Sequence, residues 1–240
     1  MLIEPIINEI DPSWYDFIMN KEVQKEIKKI ESKLTEQFYP ETKNVLRFLK
    51  QDLSNIKYII VGMDPYPSSY KLNKKEYPIA TGRSFEVANY TDWETPTRNK
   101  SLTNILKAIY KETTSKDASI KEIRKEIKNG SFKILSPNKL FDDLESQGIL
   151  FLNYAFTVKP KEPGSHLSIW KNFSLMLQEY IVKNYPEIKW ILWGEDANNA
   201  LGKNLDAQNK ITNIHPVNND FVKDSKLSEL KDINLKGRGK

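Results

Sequence analysis

Tyr58-Ile59-Ile60-Val61-Gly62-Met63-Asp64-Pro65-Tyr66-Pro67 is the stretch on which the fold turns. A short β-branched, apolar run stops at a glycine, and an acid, a proline, a tyrosine and a second proline follow at once. The run reads as a buried strand and the Gly/Pro cluster as its end. In open α/β sheets the ligand crevice lies beyond the carboxyl ends of the strands, so Asp64 stands where a working carboxylate would. Asp-Pro after a strand is also ordinary turn chemistry. This stretch alone leaves both readings open.

The same arrangement recurs along the chain. Ile149 to Leu152 is a second apolar run and ends at Asn153. Ile188 to Trp193 ends at Gly194, and Ile211 to Ile214 ends at His215-Pro216. Helical patterns lie between them. Trp14 to Leu34 spaces Trp14, Phe17, Ile18, Val23, Ile27, Ile30 and Leu34 for one helix. Thr42 to Lys50 is a short second one. Ser101 to Thr113 carries Leu102, Ile105, Leu106 and Ile109 on one face, with Ser101 as its cap. Lys116 to Lys128 is charged and helical, a solvated face or an insertion. Phe141 to Gln147 ends at Gly148, Ser165 to Lys183 is long and amphipathic, and Asp196 to Gly202 begins another helix. Pro67 to Pro78 reads as a polar loop and Arg83 to Val87 as a short strand. Strand, polar residue at its carboxyl end, then helix is the rhythm of an α/β fold with a central, largely parallel four-stranded sheet. Asp64, Asn153, Gly194 and His215 then emerge at one edge. No domain boundary is visible, so residues 1–240 form a single domain, with a helical segment over 1–50 and a polar, lysine-rich tail over 223–240.

Composition narrows the class. The chain has 240 residues, 39% hydrophobic and 29% charged, with a net charge of +5. That length suits one or two domains with a sizeable core. A basic balance fits a polyanionic partner without establishing one. There is no cysteine and there are only two histidines, His166 and His215. Disulfides and thiolate metal sites are excluded, and a histidine-based metal cage is disfavoured. No apolar run approaches the ~18 residues of a membrane span, and Met1 to Asn8 has no signal-peptide character. The expectation is a cytoplasmic protein that needs no metal, cofactor or membrane.

The strand ends form a chemical set. Asp64 is a carboxylate, Asn153 can read a planar amide edge, and His215 can donate to a developing anion. Phe85 and Tyr66 offer flat faces. A pocket for an extruded nucleobase needs these parts. The chain has neither a nucleophilic Ser or Cys motif nor a phosphate-cradling Gly-rich loop.

These residues resemble family 1 uracil-DNA glycosylases. Gly62-Met63-Asp64-Pro65-Tyr66-Pro67 is similar to that family's water-activating motif Gly-Gln-Asp-Pro-Tyr-His. The likeness continues in order through Phe38-Tyr39-Pro40, Ser84-Phe85-Glu86-Val87 and Ser101-Leu102-Thr103-Asn104-Ile105. It goes on through Gln147 to Asn153 with Thr157-Val158, Ser165-His166, Trp170 with Phe173, Leu192-Trp193-Gly194 with Ala197, and His215-Pro216. It covers about Phe38 to Phe221.

The resemblance implies a three-layer α/β/α fold and a monomeric, metal-free enzyme acting on single- or double-stranded DNA. It implies that Asp64 orients a water and stabilises the cationic sugar, while His215 donates to the departing base. Asn153 and Met63 lie at the base edge, Phe85 stacks on the ring, and Tyr66 excludes a C5 substituent. Pro67, Ser101, Ser165, His166, Gly194, Pro216 and Asn219 fall at DNA-contacting positions. The chain also departs from the pattern. Met63 and Pro67 replace a glutamine and a histidine, and the segment between Tyr66 and Phe85 is enlarged. Glu195 follows Gly194, and Asn219 stands where a leucine wedges into the base stack. Three readings fit: excision of uracil, excision of a modified pyrimidine such as phages carry, or an inactive DNA-binding scaffold. Base excision repair and phage defence are both compatible settings.

Overall fold

The structure is a computed structural model and describes residues 1–238. Its central sheet is built from β1 (Tyr58–Gly62), β4 (Ile149–Asn153), β5 (Lys189–Trp193) and β6 (Lys210–Asn213), in the order β4-β1-β5-β6 and parallel throughout. A separate antiparallel pair is formed by β2 (Ser69–Leu72) and β3 (Lys75–Pro78). The helices are α1 (Tyr15–Ile18), α2 (Lys21–Lys33), α3 (Thr42–Val45), α4 (Lys100–Thr114), α5 (Ile120–Lys128), α6 (Pro137–Ser146), α7 (Leu167–Asn184) and α8 (Glu195–Leu201). Helices cover both faces of the sheet in three layers, as the sequence predicts.

Every residue of β1 and β4 is buried, as expected of a parallel strand covered on both sides. Alternation sorts their side chains between two cores. Ile59, Val61, Leu150, Leu152, Trp190 and Leu192 meet α2 and α7 on one face. Tyr58, Ile60, Ile149, Phe151, Ile191 and Trp193 meet α4, α5 and α6 on the other. The register pairs Gly62 with Asn153 and Trp193 with Asn213. The chain segments that leave these strands therefore start from one edge.

Several sequence expectations are corrected. The 14–34 helix is broken at Asn20, whose side chain accepts from Glu22 N–H at 2.9 Å and caps α2. An Asn cap competes better at a helix start than inside one. The 42–50 segment splits into α3 and a 3-10 turn over Arg47–Lys50. Asn99, not Ser101, caps α4, accepting from Leu102 N–H at 2.8 Å. The charged 116–128 segment is neither wholly solvated nor an appendage: α5 opens on a Ser119/Glu122 capping box and buries Ile123 completely. Pro67 to Pro78 is not a plain loop but contains the β2–β3 hairpin. Arg83 to Val87 is not a strand. Glu86 N–H donates to Ser84 O at 2.9 Å across Phe85, whose φ is +64, a γ-turn incompatible with extended backbone.

The tail is polar only in composition. Leu227, Leu230 and Leu235 are buried in the second core, and Tyr58 Oη donates to Lys231 O at 3.3 Å. Asn234 N–H donates to Gln147 Oε1 at 2.7 Å. Widely spaced leucines gave no period to read. The last two residues of the tail lie outside the described residues.

Candidate active site

Asp64 leaves the carboxyl end of β1 two residues after Gly62 and is half-buried. The backbone N–H of Gly164 donates to its Oδ2 at 2.6 Å, which leaves Oδ1 for another partner. Burial pushes its carboxyl above the ordinary value of 3.8, and the Gly164 bond pulls the other way. The loop that supplies Gly164 is laced to the Asp64 loop. Ala155 N–H donates to Met63 O and Lys161 N–H to Pro67 O, both at 2.8 Å. A cleft of about 680 Å³ opens beside Asp64, lined by Met63, Tyr154, Gly164, Lys171, Asp196 and Asn199 among others.

Asn153, at the carboxyl end of β4 beside Gly62, is 3% exposed. Its side chain crosses Gly62 so closely that a Cβ there would lie 2.6 Å from Asn153 Oδ1 and 2.9 Å from Ser84 Cβ. Only glycine lets the amide lie over β1 at this point. Ser84 Oγ donates to Ile60 O at 3.0 Å and so seats the turn that carries Phe85. The Phe85 ring packs edge-on against Trp193 at 5.2 Å and tilted against His215 at 5.9 Å. Tyr66 is half-buried against the same apolar cluster. Burial pushes its phenol up to about 12, opposed by a hydrogen bond with Asn99.

His215 follows β6 and rests on Gly194, where an added Cβ would lie 3.1 Å from His215 Cβ and where φ is +109. The N–H of Val217 donates to His215 Nδ1 at 3.1 Å. Burial lowers the imidazole pKa below 6.5, with Asp196 opposing. The ring is therefore neutral at neutral pH and carries its proton on Nε2. A chain of neighbours runs from Asn153 over Gly62 to Ser84 and Phe85, then to His215 and Gly194.

The remaining sequence-predicted positions scatter around this core. Met63 packs against the first core and lines the cleft. Pro67 is half-buried at the base of the hairpin, and Pro216 is buried. Ser101 is buried in the first turn of α4. Ser165 Oγ accepts from Lys159 N–H at 2.9 Å. His166 is 4% exposed, with Nδ1 2.9 Å from Thr157 Oγ1, which also accepts from Trp170 Nε1 at 2.6 Å. Burial and then Lys159 lower the His166 pKa, as suits a neutral ring turned inward. Asn219 is exposed at the start of a 3-10 turn over Asn219–Lys223.

Sequence reading missed three supports. The Gly164 amide is backbone and leaves no side-chain signal. Asn104, 2% exposed, donates from Nδ2 to Pro216 O at 2.7 Å and Asn218 O at 3.1 Å, fixing the turn after His215. Its place in the Ser-Leu-Thr-Asn-Ile block was the available signal. Arg83 Nη1 donates to Glu86 Oε1 at 2.9 Å across the Phe85 turn, and Nη2 reaches Asp142 at 2.7 Å and also Glu145.

Among the described residues, no group of three or more acidic or histidine side chains is placed to hold a metal. No helix there is long and apolar enough to cross a membrane.

A carboxylate, a neutral imidazole, an amide and a recessed aromatic thus stand at the carboxyl edge of the parallel sheet. No family model matches the chain. A uracil-DNA glycosylase of Mesomycoplasma hyopneumoniae (strain 7448) is 28% identical over 224 residues, 90% of this chain and 88% of that one. A probable uracil-DNA glycosylase of Acanthamoeba polyphaga mimivirus is 31% identical over 221 residues, 85% of this chain. The aligned region spans 51% of that longer protein. The crystal structure of mimivirus uracil-DNA glycosylase matches with a TM-score of 0.66 at 25% identity, covering 89% of this chain and 74% of that one. The enzyme of Nitratifractor salsuginis matches in fold with a TM-score of 0.72 at 22% identity, covering 95% and 92%. The chain is thus similar in sequence and in fold to uracil-DNA glycosylases.

Proposed function

We propose that this protein is a monofunctional DNA glycosylase, a divergent member of family 1, that extrudes uracil or a modified pyrimidine from DNA and hydrolyses its N-glycosidic bond. The observation that carries the reading is the half-buried Asp64 carboxylate, oriented by Gly164 N–H, at the sheet edge that also holds Asn153, Phe85 and the neutral His215.

The extruded base lies against Phe85, with its polar edge toward the Asn153 amide. As the bond between base nitrogen and C1′ lengthens, positive charge grows on the sugar and negative charge on the base. Asp64 faces the first charge, while His215 Nε2–H donates to a ring oxygen bearing the second. Oδ1 of Asp64 orients a water whose oxygen bonds to C1′. One water proton leaves through Asp64 to solvent, and the released base anion takes up a proton from solvent. The products are free base and an abasic site. Burial raises the Asp64 carboxyl and the Gly164 N–H favours its ionised form, and desolvation strengthens the pull of that carboxylate on the sugar cation.

Tyr66 beside the Phe85 cluster supports uracil over thymine, because a C5 methyl group would meet its ring. The reading extends to base excision repair by a metal-free, cofactor-free monomer in the cytoplasm. The modified-pyrimidine and phage-defence variants rest on Met63, Pro67 and the enlarged 67–84 segment. An excision assay over oligonucleotides bearing uracil, thymine and modified pyrimidines, single- and double-stranded, tests the proposal. Abasic sites at uracil support it; no abasic product on any substrate overturns it.

A further inference from the structure

The β2–β3 hairpin has no task in the site just described. Its base is tied beside that site: Ile79 N–H donates to Ser68 O at 3.0 Å and Ala88 N–H to Ile79 O at 2.9 Å, between Tyr66 on one side and Phe85 on the other. From that base, residues 71–76 are all exposed. Asn73 and Lys74 turn the chain at φ of 50 and 65, a two-residue turn whose twist matches the strands.

The register pairs Tyr70 with Tyr77 and Leu72 with Lys75. Alternation then puts these four side chains on one face. The two tyrosine rings lie 5.8 Å apart, and Lys75 Nζ sits 5.1 Å from the Tyr77 ring centre. Leu72, 53% exposed, ends that face at the tip. Over residues 69–78 three lysines face one glutamate, a net +2. Glu76 is itself bonded by Ser69 Oγ.

A two-stranded hairpin is marginal in water on its own, so one that also bares a leucine and an aromatic face invites a partner. Lysines suit phosphates, flat rings suit bases, and an apolar tip suits a gap in a base stack. We propose that the hairpin is a DNA-binding arm. Lys71, Lys74 and Lys75 neutralise phosphates flanking the extruded nucleotide, and Leu72 enters the stack that the nucleotide has left. Asn219, exposed and polar, cannot fill such a gap. The proposal rests on the glycosylase reading for the extruded nucleotide, but its binding half does not need catalysis.

Two measurements test it. The first is the affinity of the full chain for a uracil-free duplex over a salt series, for the natural protein and for the combined Lys71→Gln, Lys74→Gln, Lys75→Gln variant. The variant is expected to bind about tenfold more weakly at physiological salt, with the log–log salt slope reduced by about 2 to 3. Unchanged affinity and slope overturn the arm, and would leave the bare face to a protein partner. If the natural protein excises nothing and yet the variant loses affinity, the arm stands and the enzymatic reading falls.

The second is single-turnover excision by Leu72→Ser, with Val217→Ser as comparison because Val217 is 49% exposed beside His215. Leu72→Ser is expected to slow duplex excision about tenfold and single-strand excision less than about twofold, since only a duplex stack has to be held open. Equal slowing on both substrates, or a duplex-selective loss in Val217→Ser alone, overturns the wedge.

Discussion

The backbone N–H of Val217 donates to His215 Nδ1 at 3.1 Å. The ring's proton is thereby held on Nε2, and a second proton at Nδ1 would face a donor instead of an acceptor. Burial lowers the imidazole pKa below 6.5, while burial raises the Asp64 carboxyl above 3.8. The signs fix the pH profile. On the acid side kcat rises as Asp64 ionises, later than an ordinary carboxylate would. At higher pH kcat does not fall as His215 loses its proton, because the ring donates in its neutral form. A fall in kcat over that step would mean that the imidazolium is the donor.

Asn104 holds the turn after His215 through two carbonyls. Asn104→Ala leaves Pro216 O and Asn218 O without their donor, a cost of about 1–3 kcal/mol. A misplaced imidazole is expected to lower kcat about 10- to 100-fold, while KM moves less than about threefold. If stability falls but kcat well below the melting temperature does not, Asn104 is structural only.

Tyr66 packs with the cluster that carries Phe85. Tyr66→Ala opens the space where a C5 methyl group would sit and is expected to yield measurable thymine excision, at a rate below that for uracil. Unchanged rejection of thymine by a folded, uracil-active variant would remove Tyr66 from the base pocket.

Phe85 sits in a γ-turn at φ +64, a conformation costing about 1–3 kcal/mol for a non-glycine residue. The Arg83–Glu86 pair spans that turn and both side chains are buried, whereas the Asp142 side chain is 67% exposed. The buried contacts therefore dominate. Arg83→Met is expected to cost about 3 kcal/mol or more in urea unfolding because it strands buried Glu86 and takes from Glu145 the nearer of its two cationic partners, leaving Arg47 at 3.9 Å. Asp142→Asn is expected to cost less than about 1 kcal/mol. Equal costs would show that burial does not set the strength of this network.

The sequence made the parallel sheet legible because its strands are short, uninterrupted apolar runs, each closed by Gly, Asn, Pro or His. The residues at those closures were legible for the same reason. Phe85 was recognised but its backbone was not, since the alternation of polar and apolar residues from Ser84 to Val87 looks extended until Arg83 and Glu86 are seen to close it. The hairpin was hidden because its turn, Asn73-Lys74, lacks the glycine that usually marks such a turn. Asn99 took the capping role two residues before Ser101, the usual uncertainty of a helix end, whereas Asn20 starts a new helix inside the expected 14–34 span. Gly164 and Asn104 act through contacts between residues far apart in sequence, which no local pattern encodes.

The central claim is that Asp64 performs hydrolysis at a sugar carbon. Its most direct test is single-turnover formation of abasic sites in uracil-containing DNA by the natural protein and by Asp64→Asn, with DNA affinity and melting temperature measured in parallel. The natural protein is expected to produce abasic sites. Asp64→Asn is expected to lose about 10³-fold or more in rate and to bind DNA no more weakly. It is also expected to melt at the same temperature or up to about 2–4 °C higher, because a half-buried charge has been removed. Abasic-site formation by Asp64→Asn at the natural rate would contradict the account.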